Sequence, residues 1–179
     1  MQLPVSANIS LELTGPQHAA ALFEAVDRNR AHLSTFLPWV GQMETAGHME
    51  QYIARCGELY VQGLEASFVI LRGQELVGRI GMHHIQPQNR SGAIGYWLTE
   101  AAQGQGIITQ SCRTLIAYGF TTLHLHRIEI KALMHNTRSQ AVPQRLGFTR
   151  EGLLRQAEYV NGDYHDLVVF SLLRNEWTG

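Results

Sequence analysis

Between residues 66 and 98, three strand-like runs follow one another with no room for a helix between them. ASFVILRG (66–73) and QELVGRIGMHHI (74–85) meet through Gly73-Gln74, which suits a tight antiparallel turn. AIGYWL (93–98) follows after the polar loop QPQNRSG (86–92). A second antiparallel signal lies near the end of the chain, where LLRQAEYV and DYHDLVVFSLL flank Asn161-Gly162. Asn-Gly is the dipeptide best suited to a two-residue hairpin turn, because both positions need positive φ. Consecutive antiparallel runs of this kind are incompatible with the strict strand–helix alternation of a doubly wound sheet.

The remaining segments supply helices and two further strands. ISLEL (9–13) alternates like a half-buried strand and is broken by Thr14, Gly15 and Pro16. Ala20, Leu22, Phe23 and Val26 share one face of a helix over 17–28, and Met49, Tyr52, Ile53, Cys56, Leu59 and Tyr60 do so over 46–62. AHLSTFLPWVG (31–41) predicts a short helix stopped at Pro38. Ile108, Cys112, Leu115, Ile116, Phe120 and Leu123 place one apolar face on a helix from about 106 to 122. RIEIKALM (127–134) reads as a strand, and NTRSQAVPQRLGF (136–148) as a helix strained by Pro143 and ended by Gly147. The order β-α-α-β-β-β-α-β-α-β-β describes a mixed α/β (α+β) protein, and 179 residues suit one domain spanning 1–179.

Composition narrows the function classes. A net charge of −1 argues against a broad electrostatic grip on nucleic acid or an acidic membrane surface. No apolar run approaches the length that spans a bilayer, and MQLPVS lacks the basic and apolar regions of a secretory signal. Cys56 and Cys112 form no Cys-x-x-Cys pair, so free thiols in a reducing cytoplasm are expected. Among the nine histidines, His83-His84 are adjacent and His124-x-His126 has no nearby Cys or carboxylate, so no metal site is expected. Cys112 falls on an apolar helix face and reads as core rather than nucleophile.

The strand 93–98 leads into Gln103-Gly104-Gln105-Gly106-Ile107-Ile108-Thr109, a glycine turn that opens a helix. A dinucleotide fingerprint would need a third glycine where Thr109 stands, and a P-loop would need Gly-Lys-Ser/Thr, which the chain lacks. Taken alone, the turn is equally compatible with a ligand-free strand-to-helix connection. The segment as a whole resembles the Gln/Arg-x-x-Gly-x-Gly/Ala motif of the GNAT N-acetyltransferases. The resemblance extends along nearly the whole chain through LPW (37–39), IGYWL (94–98), N-x-x-S (136–139), RLGF (145–148) and YVNGDYHD (159–166), and points to the ribosomal-protein N-terminal acetyltransferase branch. It departs from the motif at Ile108, which the helical spacing turns towards the core.

This resemblance implies a GNAT-type acyl-CoA N-acyltransferase fold, with a largely antiparallel mixed sheet flanked by helices, and acetyl-CoA as cosubstrate. It implies that the amides of Gln103, Gly104, Gln105, Gly106, Ile107, Ile108 and Thr109 hold the pyrophosphate at a helix N-terminus, where orphan N–H groups and the helix dipole favour an anion. Tyr96, Trp97 and Leu98 would lie along pantetheine, with the Leu98 N–H donating to the developing oxyanion. Asn136 would bond pantetheine, or cap its helix, or both. Ser139, one helical turn on, would donate a proton to the leaving thiolate, and Glu158 would be the general base. A two-residue turn at Asn161-Gly162 sets Glu158 opposite His165. Arg138 and Arg145 are either partners of the coenzyme's ribose phosphate or solvated helix arginines. Trp39, beside Phe36 and Leu37, is either a wall of the acceptor pocket or a core residue. The implied acceptor is the α-amine of a ribosomal protein, and the branch implies a homodimer. A small-molecule amine (amino acid, polyamine or drug) is the second reading. The third is a non-catalytic acyl-CoA-binding module, which would have no use for Glu158 and Ser139 flanking a thioester.

Overall fold

A computed structural model describes residues 1–179. Eight strands form: β1 (Gln2–Pro4), β2 (Ile9–Leu13), β3 (Ala66–Arg72), β4 (Glu75–Gln86), β5 (Ser91–Leu98), β6 (Arg127–Leu133), β7 (Thr149–Val160) and β8 (Asp163–Leu173). They make one sheet in the order β1-β2-β3-β4-β5-β6-β8-β7. Every neighbouring pair is antiparallel except β5 and β6. The helices are α1 (Ala19–Arg28), α2 (Arg30–Leu33), α3 (Ala46–Val61), α4 (Ile107–Thr121) and α5 (Thr137–Arg145). This is the mixed, helix-flanked sheet expected from the sequence.

The side-chain alternation of the strands divides the core in two. Phe68, Ile70, Ile80, Ile94, Leu98, Ile128 and Phe170 pack under α4 and α5, against Ile107, Cys112, Leu115, Ile116 and Val142. Their sequence neighbours Val69 and Trp97 point the other way, onto Leu22 and Val26 of α1 and Met49 and Ile53 of α3. Both faces of the sheet are therefore covered. Cys56 and Cys112 are buried and free, and no helix is long and apolar enough to cross a membrane.

The departures from expectation are local. β1 has three residues, too few to show an alternating pattern, yet it pairs with β2 from Gln2 to Pro4. The expected loop 86–92 shrinks to a tight turn, since β4 runs to Gln86 and β5 starts at Ser91. The helix over 136–148, expected to be ended by Gly147, has its last helical residue at Arg145; Gly147 (φ +78°) reverses the chain, and β7 starts earlier than expected, at Thr149. Residues 31–41 hold the short α2 and then a 3-10 turn at Pro38–Gln42.

Two features steady the sheet around the β5–β6 junction. Gly78 on β4 faces the Trp97 carbonyl, which would lie 2.3 Å from any Cβ placed there. On the other side, the Arg127 guanidinium of β6 reaches Glu151 on β7 at 2.7 Å, while Ser171 of β8 donates to Glu151 at 2.7 Å. The Arg127 and Ser171 bonds hold the Glu151 carboxyl down to about 2. Gly78→Ala should destabilise the fold by about 1–3 kcal/mol, read by chemical denaturation, because its backbone neighbour cannot move aside. The depressed Glu151 value means its stabilisation is present above the unfolded carboxyl value (~4.3) and is lost as pH falls towards 2. Thermal melts of Glu151→Gln should therefore show a shallower loss of stability across that acid window than the parent protein.

Candidate active site

The parallel pairing of β5 with β6 is short: only Ser91, Gly92 and Ala93 pair, with Arg127, Ile128 and Glu129. From Ile94 onward β5 is paired on one side alone, with β4. The Thr99 N–H donates to Val77 O at 2.8 Å, so the β4-facing residues are the odd ones. By the alternation of an antiparallel ladder, the backbone groups of Tyr96 and Leu98 face the gap. The gap opens into a cleft of about 1000 Å³ between β5, α4 and α5.

The glycine turn forms one end of this cleft. Gly104 and Gly106 take φ +75° and +73°, a left-handed conformation that residues with a Cβ seldom adopt. Gly106 is also the N-cap of α4. The backbone N–H groups of residues 104 to 109 donate to no protein acceptor, whereas Gln103 N–H bonds Glu100 O and Gln110 N–H bonds Gly106 O. Six successive free amides at the positive end of a four-turn helix make a concavity suited to an anion. Ile107 is buried in the core, and Ile108 packs against the core while lining the cleft. Its bulk is thereby accommodated where the motif has Gly or Ala. The Gln105 side chain turns away from the cleft, to Arg72 and Ala101 O. Gln103 crosses the cleft's edge, 2.7 Å from the His32 ring and 3.0 Å from Arg138.

Helix α5 forms the facing wall. The Asn136 carboxamide oxygen accepts from the Ser139 N–H at 3.1 Å, which caps the helix, while its NH2 has no protein acceptor. Ser139 Oγ donates to the Tyr96 hydroxyl at 3.2 Å, and that hydroxyl donates to Ser139 O at 3.0 Å. Burial pushes the Tyr96 phenol well above its ordinary range, so it stays neutral. Asn136, Arg138, Ser139 and Arg145 all line the cleft.

Glu158 and His165 are cross-strand partners, with Tyr159 opposite Tyr164 and Val160 opposite Asp163. Neither Glu158 nor His165 lines the main cleft. The link is His135, which does, and whose ring lies 5.0 Å from that of His165 and 5.6 Å from Phe36. The hairpin tip is tied over this region by Asn161 Nδ2, which donates to Ser34 O at 2.9 Å. Trp39 lies outside the main cleft as well. It packs against Trp97 at 6.3 Å and walls a second cavity of about 380 Å³. The Tyr96–Trp97 strand and Leu37 border both cavities. The floor of the second is polar: Glu65 bonds Arg79 at 2.9 Å and His83 at 3.2 Å. Phe36 and Leu37, expected beside Trp39 at the acceptor pocket, line the main cleft, and so do His32 and His135, which no motif marks. The two histidines come from the segments before LPW and before N-x-x-S, where no pattern marks an individual residue.

Comparisons with known proteins agree with this geometry. The model of the acetyltransferase (GNAT) domain matches residues 9–149. A putative ribosomal N-acetyltransferase of Bacillus subtilis is 39% identical over 178 residues, covering 98% of this chain and 96% of that one. The ribosomal-protein-serine acetyltransferase of Escherichia coli is 32% identical, covering 94% of each. Among solved structures, a ribosomal L7/L12 α-N-protein acetyltransferase in complex with coenzyme A superposes with a TM-score of 0.95 at 32% identity, over 98% of this chain and 99% of that one. With the glycine turn, the open strand edge and the whole-length match in agreement, this chain belongs to the GNAT family and is an N-acetyltransferase.

Proposed function

We propose that this enzyme transfers an acetyl group from acetyl-CoA to the N-terminal α-amine of a ribosomal protein. The observation that carries the chemistry is the cleft itself, an unpaired strand edge running to six free amides. The acceptor rests on the relatives named for ribosomal proteins, which match this chain almost end to end.

The residues present fit the coenzyme's chemistry. Amides 104–109 hold the pyrophosphate, with Arg138 and Arg145 at the same cleft for the outlying phosphate. The backbone of Tyr96 and Leu98 pairs with pantetheine amides as a strand would, and the Asn136 NH2 adds a donor. Acetyl-CoA supplies a thioester carbonyl and a thiolate leaving group. The Leu98 N–H donates to the carbonyl oxygen as negative charge develops there. Ser139 Oγ–H turns from Tyr96 to the departing sulfur. Glu158 accepts the amine's proton, with the His165 and His135 rings spanning the way to the cleft. An α-amine asks little of this half-buried carboxylate: its pKa of about 7.7–8.0 leaves roughly 10–17% neutral at pH 7, whereas a lysine is almost wholly charged.

The second cavity, with Trp39 and Trp97 as walls, receives the acceptor's first side chain. The exposed Leu153 and Leu154 on the edge strand β7 support a homodimer, and the ribosomal acceptor supports a cytoplasmic site of action.

Acceptor identity is read by intact-mass spectrometry of ribosomal proteins, N-terminal peptides and small amines incubated with acetyl-CoA. A gain of one acetyl on a ribosomal protein's first residue is expected; acetylation of small amines alone would overturn the assignment. Glu158→Gln should lower kcat on the order of 100-fold with acetyl-CoA affinity unchanged. Trp39→Ala should raise KM for the acceptor roughly tenfold, from lost apolar contact, and leave acetyl-CoA binding as it is.

A further inference from the structure

We infer that Tyr96 is a positioning residue for Ser139, and that Pro143 is what makes this possible. Pro143 is buried inside α5, four residues after Ser139. An ordinary residue there would donate its N–H to the Ser139 carbonyl; proline has no N–H to give. The carbonyl faces the cleft wall, and the Tyr96 hydroxyl donates to it instead, at 3.0 Å.

That bond settles the direction of the next one. A phenol has a single proton. With it committed to the Ser139 carbonyl, only the lone pairs of the Tyr96 oxygen remain, and Ser139 Oγ donates to them at 3.2 Å. Residue 139 is thus held through two atoms of its own by one hydroxyl on β5. The serine proton is present on Oγ, and the oxygen is fixed beside the strand whose backbone faces the gap. On thiolate departure the Oγ–H turns to the sulfur while Tyr96 keeps the Ser139 backbone in place. Burial keeps Tyr96 protonated throughout, so it orients the serine without itself exchanging a proton.

This inference rests on the proposed role of Ser139, and the test separates the two. Steady-state kinetics are measured for Ser139→Ala, Tyr96→Phe and the double variant. Coenzyme A affinity is measured by calorimetry and thermal melting checks the fold. Tyr96→Phe retains the ring and its packing. We expect it to lower kcat about tenfold, the scale of one well-placed hydrogen bond, with coenzyme A affinity within twofold of the parent. Adding Ser139→Ala to Tyr96→Phe should cost much less than it costs alone, because the serine is already misplaced. The solvent isotope effect on kcat should fall to the same value in all three variants. Pro143→Ala, which restores an N–H for the Ser139 carbonyl, should shift kcat when Tyr96 is present and have no further effect in Tyr96→Phe. If Ser139→Ala leaves kcat unchanged, the serine's role fails and this inference with it. If Ser139→Ala lowers kcat while Tyr96→Phe does not, or the two effects multiply independently, the positioning role alone is overturned.

Discussion

The three-residue pairing between β5 and β6 is the constraint on which the rest depends. Parallel neighbours normally continue side by side, and a strand that loses its partner midway leaves backbone groups without hydrogen bonds. Here the separation begins at Ile94, in the middle of the sheet. The interruption leaves the backbone groups of Tyr96 and Leu98 free to pair with a ligand, the role proposed above for them. Everything around it keeps the gap from closing. Pairing of β6 with β8 from Arg127 to Leu133 pulls one side away, and full pairing of β5 with β4 to Leu98 holds the other.

The proposed cofactor grip is built from two backbone devices with different origins. The strand edge depends on tertiary placement of β5 and β6. The amide turn depends on two glycines at positive φ and on α4, whose Ile107, Cys112, Leu115 and Ile116 are buried. Because both devices use main-chain groups, they tolerate changes of side chain so long as the core and the two φ angles survive. Ile108 illustrates this: its amide is one of the six free ones while its side chain joins the core.

Much of this was legible in the sequence, for reasons that differ by element. Strands 66–72, 91–98 and 163–173 are long, apolar and bounded by turn residues, so period and punctuation agree. The Asn161-Gly162 turn set the Glu158–His165 register correctly, since a two-residue hairpin leaves only one pairing. β1 was missed because three residues carry no period. Gly147 marks the end of α5 as its conformational freedom suggests, while the start of β7 at Thr149 is hidden because TREG carries no apolar alternation. At the site, residues marked by motif, such as Gly104, Gly106, Asn136 and Ser139, line the cleft or form its turn. Phe36 and Leu37 were legible beside LPW, whereas His135 and His32 were not, since their presence there follows from how the segments around α2 and α5 meet at the cleft. Trp39 and Glu158 share the neighbourhood without lining the cleft itself, a distinction that only the placement of the hairpin and the 3-10 turn reveals.

The proposed assignments also constrain where the reaction's proton goes. Tyr96 is held neutral by burial and bonded to a carbonyl, so it cannot replace a proton that Ser139 gives away. A serine that surrendered its proton outright would leave an alkoxide, a far stronger base than a thiolate of pKa about 8.5. The serine therefore stabilises the sulfur by a hydrogen bond while the charge develops, and recovers its tie to Tyr96 when the thiol is complete. The proton that neutralises the thiolate is supplied by the amine, which must lose one as its nitrogen becomes an amide. In the proposed assignment Glu158, paired with His165 and separated from the cleft by the His135 ring, takes that proton, and solvent returns it. Such a division demands little of any single residue, which fits an acceptor whose amine is already partly neutral at physiological pH.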